Sequence, residues 1–350
     1  RAHLEDRLSV KWDSEPSFYL GVAIERDKAT GTVKLQQARY VDDVLRRFKM
    51  EDCATEPTPI AQKCALSPGT PQEIADARDL PLGQLVGCLL YLACWTRPDI
   101  AAAVSRMASF VSKPTQAAWT AAKRIVCYLK GTRDVGIVYR PSPSPVQLAA
   151  MFSFSKPLLP SSSTSLTAYS DADWAACLDT RRSTTGNVIL LAGGPIDWIS
   201  RRQQTVATST SQAEYQALAE TGGQIVFLRG LLDELGFRQA DPTLLRGDNQ
   251  ASHAMAKASS SHRYTRHVDI KYHYIRELVD AGVVSISYIT THDMLADVFT
   301  KGLGRDLHLR FVRAMGLDGQ SLSRGSVDGT FRDGRRVRGR QGGSERDAIV

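Results

Sequence analysis

The chain has no CxxC pair. Its six cysteines, Cys53, Cys64, Cys88, Cys94, Cys127 and Cys177, fall at irregular spacings. That excludes a disulfide scaffold and points to reduced thiols in a protein that is not secreted. Long hydrophobic runs are also missing. The longest, "LVGCLLYLACW" at 85–95, falls well short of the roughly 20 residues that cross a bilayer, so no membrane partner is expected. No signal peptide precedes it, and no internal repeat is found. The first residue is Arg1 rather than methionine, and a fragment of a longer protein is expected.

What is present is 350 residues, 43% of them hydrophobic. That suffices for packed cores in about two domains of roughly 100–200 residues each. The formal charge of +7 permits a polyanionic partner, as it does in many basic proteins that bind none. Composition separates the chain into parts. Residues 1–140 alternate short strand-like and long helix-like patterns. Residues 141–165 are dense in proline and serine, a linker signature. Residues 166–317 form a compact region. Residues 318–350 are rich in glycine and arginine and lack aliphatic periodicity, so a disordered tail is expected there.

Tyr40-Val41-Asp42-Asp43 spells the paired-aspartate motif with which retroviral-type polymerases hold metal ions. That use requires a tight hairpin between apolar strands. Here polar "KLQQAR" precedes it, and Val41, Val44, Leu45 and Phe48 follow at i, i+3, i+4 and i+7, one stripe of a helix. Asp42/Arg46 and Asp43/Arg47 are i,i+4 pairs, each contributing about 0.2–0.5 kcal/mol. Two aspartates in a first turn also suit the helix dipole. A solvated helix face is expected, and no polymerase activity. Residues 83–95 are apolar nearly all round and read as a buried helix. In 117–130, Trp119, Ala122, Val126 and Leu129 share one face, with Lys123, Arg124 and Lys130 elsewhere. Those bases are either solvated or lie along a nucleic-acid backbone.

The second half carries acids in four settings. "LTAYSDADW" (166–174) alternates as a strand and ends with Asp171 and Asp173 on one face. "TGNVILLAG" (185–193) and "PIDWISRRQ" (195–203) continue a meander through a Gly193-Gly194 turn. Residues 209–236 switch to helical period. Ser211 and Glu214 fit a capping box, a structural alternative for Glu214, and Gly222-Gly223 is expected to break the helix in two. A fourth strand ends at Asp248, a fifth covers 283–290, and a closing helical stretch carries Asp297. The order strand-Asp, helix-Glu, strand-Asp, helix-Asp is that of the RNase H fold, an α/β fold with a mixed five-stranded sheet and flanking helices. Four clustered carboxylates resist joint ionisation. Two Mg²⁺ ions relieve that repulsion and, at about 3.5–4 Å separation, activate a water and stabilise a leaving oxygen on a phosphodiester. Mg²⁺ prefers such oxygen ligands.

At these residues the chain resembles the C-terminal part of copia-type LTR retrotransposon Pol polyproteins. The blocks "GCLLYLACWTRPDIA" and "YLKGTRDVGIVY" are similar to the segment after the reverse transcriptase palm. "YSDADWA", "STSQAEYQALAE", "GDNQAS", "RHVDIKYHYIRE" and "ADVFTK" are similar to successive blocks of the RNase H domain, in order across 166–303. The resemblance implies a mostly helical thumb/connection-like segment at 1–140 and an RNase H domain at 166–317. It implies Asp171, Glu214, Asp248 and Asp297 as catalytic and metal-binding residues. Two Mg²⁺ are implied, with Mn²⁺ as substitute. The implied partners are an RNA–DNA hybrid and the remainder of the polyprotein, and the implied location is intracellular, in a cytoplasmic virus-like particle or the nucleus. Asp173 is read as a partner of the ligands, a strand-end residue or a ligand. Asn249, Arg181 and Ser183 are read as substrate contacts.

Three histidines, His262, His267 and His273, mimic a zinc pattern. No cysteine lies near, and the last two fall on different faces of one expected helix, so a structural or RNA-contacting role is expected. His292 is expected to be dispensable. Three functions compete: an active hybrid ribonuclease, a remnant that only binds nucleic acid, and an integrase-like nuclease. The last would place its glutamate on the closing helix, whereas the last acid here is Asp297.

Overall fold

Two five-stranded sheets organise the chain, and each has a different sequence origin. The computed structural model describes residues 13, 15–62, 64, 66–143, 147, 154, 164–177, 179–257 and 269–324. Three antiparallel strands come first: β1 (Phe18–Tyr19), β2 (Val22–Asp27) and β3 (Thr32–Gln36). Five helices follow: α1 (Ala38–Arg47), α2 (Pro71–Asp76), α3 (Leu82–Trp95), α4 (Ala101–Ala108) and α5 (Gln116–Gly131). Then β4 (Gly136–Tyr139) pairs antiparallel with β3. Leu85, Leu89 and Leu92 of α3 meet Val104 and Met107 of α4 and Val126 and Leu129 of α5 in one core. Each such side chain stabilises by about 1.5–3 kcal/mol when fully buried. The lobe is mostly helical, as expected. Its short strands were expected, but not their assembly into one sheet, because β2 and β3 are short and no more than half-buried for most of their length.

The YVDD stretch is helical. Val41, Val44 and Leu45 of α1 are buried, but the expected charge pairing does not form. Asp43 pairs with Arg46 at i,i+3, and Asp42 reaches Arg133 at 3.4 Å. The helix begins at Ala38, so neither acid lies in its first turn. The bases of α5 have internal partners. Arg124 pairs with Glu56 at 2.6 Å, Lys130 donates to the Cys53 carbonyl, and Lys123 covers the Trp119 ring.

The second sheet has the order β7-β6-β5-β8-β9, built from β5 (Thr167–Asp173), β6 (Thr184–Leu191), β7 (Gly194–Arg202), β8 (Thr243–Gly247) and β9 (Val284–Tyr288). β5, β6 and β7 form the antiparallel meander; β8 and β9 join parallel to β5. This is the mixed RNase H-like sheet. Its helices are α6 (Thr210–Glu234), α7 (Gln250–Lys257) and α8 (Asp269–Asp280). Two 3-10 turns, Thr291–Asp293 and Leu295–Phe299, lead to α9 (Arg305–Ala314), β10 (Leu317–Asp318) and α10 (Gln320–Arg324). Among the described residues, no helix is long and apolar enough to cross a membrane.

Several local expectations are corrected. The hairpin turn is Ala192-Gly193, both at positive φ, the backbone signature of a two-residue hairpin loop; Gly194 already pairs with Leu191. α6 does not break at Gly222-Gly223. A Cβ on Gly222 would lie 3.0 Å from Ile275 and Leu278, so this glycine lets α8 approach α6. Ser209, not Ser211, caps α6 by accepting from the Gln212 N–H, while Gln212 accepts from the Thr208 N–H. Glu214 is thereby free of the cap. The compact region does not end at residue 317, since β10 pairs antiparallel with β4 of the first sheet. Residues 325–350 of the expected tail lie outside the described residues, as do His262, His267 and most of 141–165. Two residues of that linker are seated in the fold. Gln147 donates to the Gly193 carbonyl, and Phe154 is buried between Phe311 and the Arg310 guanidinium.

The lobes meet over buried groups. Arg97 grips Asp99 with two hydrogen bonds of 2.9 and 2.7 Å and also donates to Thr132. Tyr128 donates to Asp99 at 2.6 Å and meets His308 of α9 at 3.2 Å. Burial opposes ionisation of Asp99, yet the Arg97 charge holds its carboxyl below the usual range. Burial pushes His308 down to about 4. Trp198 of β7 donates across the same seam to the Ala93 carbonyl at 2.8 Å.

Candidate functional site

Strand alternation places Asp171 on the inner face of β5, opposite Gly186 of β6. Glu214 projects from the first turns of α6, and Asp248 follows the last residue of β8. Asp171 and Glu214 are buried and Asp248 is half-buried; one carboxylate oxygen from each lies within 4.8 Å of the others. Asp297, in the 3-10 turn Leu295–Phe299, stands beside Asp171 across a shared cation. Lys301 Nζ is 2.9 Å from Asp297 Oδ1 and 3.8 Å from Asp171 Oδ2. All four expected acids therefore converge on the same end of the sheet.

Gly186 makes the approach of that last turn feasible. A Cβ there would lie 2.5 Å from the Thr300 methyl and 2.8 Å from Phe299 Cβ. With only hydrogen present, the Thr300 hydroxyl reaches Asp171 and donates to it. Thr291 donates to Asp248 at 2.7 Å. Asp293 is buried in an ion pair with Arg310 at 2.6 Å, anchoring the turns that carry Thr291 and Asp297. His292, beside it, is largely exposed and 3.1 Å from Asp293.

The electrostatics are those of a site with more acid than base. Burial, then the charges of Asp171 and Asp248, pushes Glu214 up to about 10. Burial and Asp171 push Asp297 up to about 8. Burial also raises Asp248 and Asp173. Burial works against the Lys301 ammonium, but Asp171 and Asp297 raise it above its ordinary value. Carboxylates that suppress one another's ionisation in a shared site are what a divalent ion would relieve. The all-oxygen donor set fits Mg²⁺ or Mn²⁺.

The expected substrate contacts fare differently. Arg181 is exposed, at positive φ, in the loop between β5 and β6. Asn249 caps α7 by accepting from the Ser252 N–H at 2.9 Å. Ser183 is fully buried, and its hydroxyl accepts from the Ala175 N–H, so its role is to hold the loop and not to contact substrate, contrary to expectation. Lys301 and the two threonines were missed. The signal for Lys301 was present as an i,i+4 partner of Asp297; the threonines are brought in only by tertiary folding.

An acid cluster at the end of a mixed sheet, joined to a helical lobe, defines the class: an RNase H-like α/β protein with a carboxylate site of metal-binding type. No family model matches the chain. It is 33% identical over 314 residues to the "Retrovirus-related Pol polyprotein from transposon RE2" of Arabidopsis thaliana, covering 90% of this chain and 20% of that one. It is 35% identical over 313 residues to the "Retrovirus-related Pol polyprotein from transposon TNT 1-94" of Nicotiana tabacum, covering 87% and 22%. A shorter relative, the "Uncharacterized mitochondrial protein AtMg00810" of Arabidopsis thaliana, is 32% identical over 225 residues, covering 64% of this chain and 83% of that one. The chain belongs to the retrovirus-related Pol polyproteins of copia-type transposons and corresponds to their C-terminal part. It spans about a fifth of the length of the two polyproteins. Among solved structures, RNase H1 of Halobacterium salinarum NRC-1 aligns with 39% of this chain and 93% of its own, at 20% identity and a TM-score of 0.29.

Proposed function

We propose that the chain hydrolyses the RNA strand of RNA–DNA hybrids by two-metal catalysis, as the RNase H part of a Pol polyprotein. The observation that carries this reading is the convergence of Asp171, Glu214 and Asp248 within 4.8 Å, with Asp297 alongside. Two divalent ions, Mg²⁺ or Mn²⁺, would supply the Lewis acidity at the attacking and leaving oxygens. Asp171, Glu214, Asp248 and Asp297 would hold them. Glu214 and Asp297, reluctant to ionise alone, would give up their protons in holding the ions. Thr300 and Thr291 fix the orientation of Asp171 and Asp248 through their hydroxyl bonds.

None of these groups reads a base edge, so cleavage has weak sequence preference. Selection of RNA comes from 2′-hydroxyls in the wide minor groove. Arg181 and the free amide edge of Asn249 are the proposed contacts near the site. A second reading, a remnant that binds hybrids without cutting them, draws on Lys301, whose ammonium already neutralises Asp171 and Asp297.

The test compares the full chain with Asp248→Asn on a labelled hybrid in Mg²⁺. The wild-type chain cuts the RNA strand. The variant loses more than about a hundredfold of that rate, since even outer partners of metal ligands typically cost 10–100-fold. Equal inertness of the two proteins, with hybrid binding intact, would select the remnant reading.

A further inference from the structure

A groove runs from the acid cluster along the junction of the two lobes. Asp173, Thr300 and Lys301 are among its lining residues, and through Thr300, which donates to Asp171, and Lys301, which pairs with Asp297, it adjoins the acid cluster. One wall is α4 and the turn after it, carrying Arg106 and Lys113; the other is the end of β7, carrying Arg202. With Lys301, these give four cations against two carboxylates, Asp173 and Asp179. Among the described residues, none of Arg106, Lys113 and Arg202 forms an ion pair. Lys123, Arg124 and Lys130 of α5 differ in having internal partners. Phe110 and Ile60 add an apolar floor, suited to the flat faces of sugars or bases.

α4 is a rigid mount for this charge. Its Ala103, Val104 and Met107 are buried in the first core, and it packs against β7 of the second sheet. Arg106 is therefore held at a fixed position relative to the acids, although it belongs to the other lobe.

We propose that this groove binds the phosphodiester backbone of the hybrid beside its cleavage point, with Arg106 and Lys113 of the first lobe and Arg202 of the second as phosphate contacts. The proposal rests on the hybrid-cleaving reading above and adds that the helical lobe completes the substrate site. Guanidinium groups match phosphate geometry through paired N–H donors, and an excess of cations in a groove releases counterions when a backbone enters.

The experiment uses the full chain and a fluorescein-labelled RNA–DNA hybrid. Binding is read by anisotropy with Ca²⁺ replacing Mg²⁺, and cleavage is read separately in Mg²⁺. For R106Q/K113Q, affinity falls about tenfold, and the slope of log K against log salt falls by about 2, close to 0.9 for each phosphate contact. KM rises while kcat changes little. R202Q, on the opposite wall, moves both readouts in the same direction and decides the matter should the double variant not fold. K28Q/R238Q removes two charges outside the groove and leaves the slope unchanged. Binding and KM at wild-type values in both R106Q/K113Q and R202Q, with cleavage intact, overturn the groove and leave the ribonuclease reading standing. A wild-type chain that binds with this salt signature but cuts nothing overturns the ribonuclease reading and leaves the groove. A wild-type chain that binds no hybrid overturns both.

Discussion

Arg97, Asp99, Tyr128 and His308 form one buried polar cluster; Asp171, Glu214, Asp248 and Asp297 form another. In the first, one cation meets one anion, and the neighbouring tyrosine hydroxyl and threonine oxygens satisfy the remaining donors and acceptors. In the second, four acids stand around one lysine, which pairs with only two of them, Asp171 and Asp297. The first joins two lobes and leaves little charge unspent. The second has more acid than base, and it is relieved by protons on Glu214 and Asp297 or by an added cation. Burial alone does not mark a functional cluster; the imbalance of charge within it does.

The largest effect should come from breaking the balanced cluster. Asp99→Asn leaves the Arg97 guanidinium buried without its anion, a loss of about 3–5 kcal/mol. Denaturant unfolding of the full chain should show it as a lower midpoint, and Mg²⁺ should not restore it.

The next contrast is in pH. Glu214 and Asp297 are raised in the fold to about 10 and about 8. Their contribution to stability is complete below their unfolded values and is lost as pH rises through the folded ones. His308 is depressed to about 4. Its contribution is present above its unfolded value of about 6.5 and is lost as pH falls towards 4. Without metal, melting should therefore weaken on the alkaline side through the acids and on the acid side through the seam. Mg²⁺ should recover only the alkaline loss, with a gain in melting temperature that grows between about pH 6 and about pH 9. Equal gains across that range would contradict the charge imbalance.

Gly186→Ala should give a smaller effect on stability, about 1–3 kcal/mol as for other overpacked sites. It should also reduce cleavage, because the turn bearing Asp297 and Thr300 must back away from Asp171. A melt and a rate assay on the same preparation separate the two losses. Smallest is the double change Asp42→Asn and Asp43→Asn in α1. Both acids are at the surface of the first lobe, and the expected change is within about 0.5 kcal/mol, with cleavage unaffected. A loss of metal binding in that variant would return the YVDD motif to consideration.

Much of the second sheet was legible in the sequence, because period-2 alternation and terminal acids mark β5 and β8 while helical period marks α6. The four acids were legible as a set because each falls on a recognisable stretch, two strands and two helical segments, in a fixed order. Gly222 misled because propensity reads a glycine pair as a break, whereas its reason is the close approach of α8. Ser183 misled because a loop serine looks exposed until the fold buries it. Thr300 and Thr291 carry no local signal; they reach Asp171 and Asp248 from a distant turn. The full first sheet was illegible for a related reason, since its local hairpins β1–β3 gain β4 and β10 only from far along the chain.

The pairing of Leu317–Asp318 with Gly136–Ile137 has a consequence in time. The first sheet lacks its last strand until the ribosome has made nearly all of the described chain. The edge of β4 must wait unpaired while the entire second sheet is synthesised. The two lobes therefore do not finish folding in chain order, and a strand made after the whole second sheet completes the first sheet to begin.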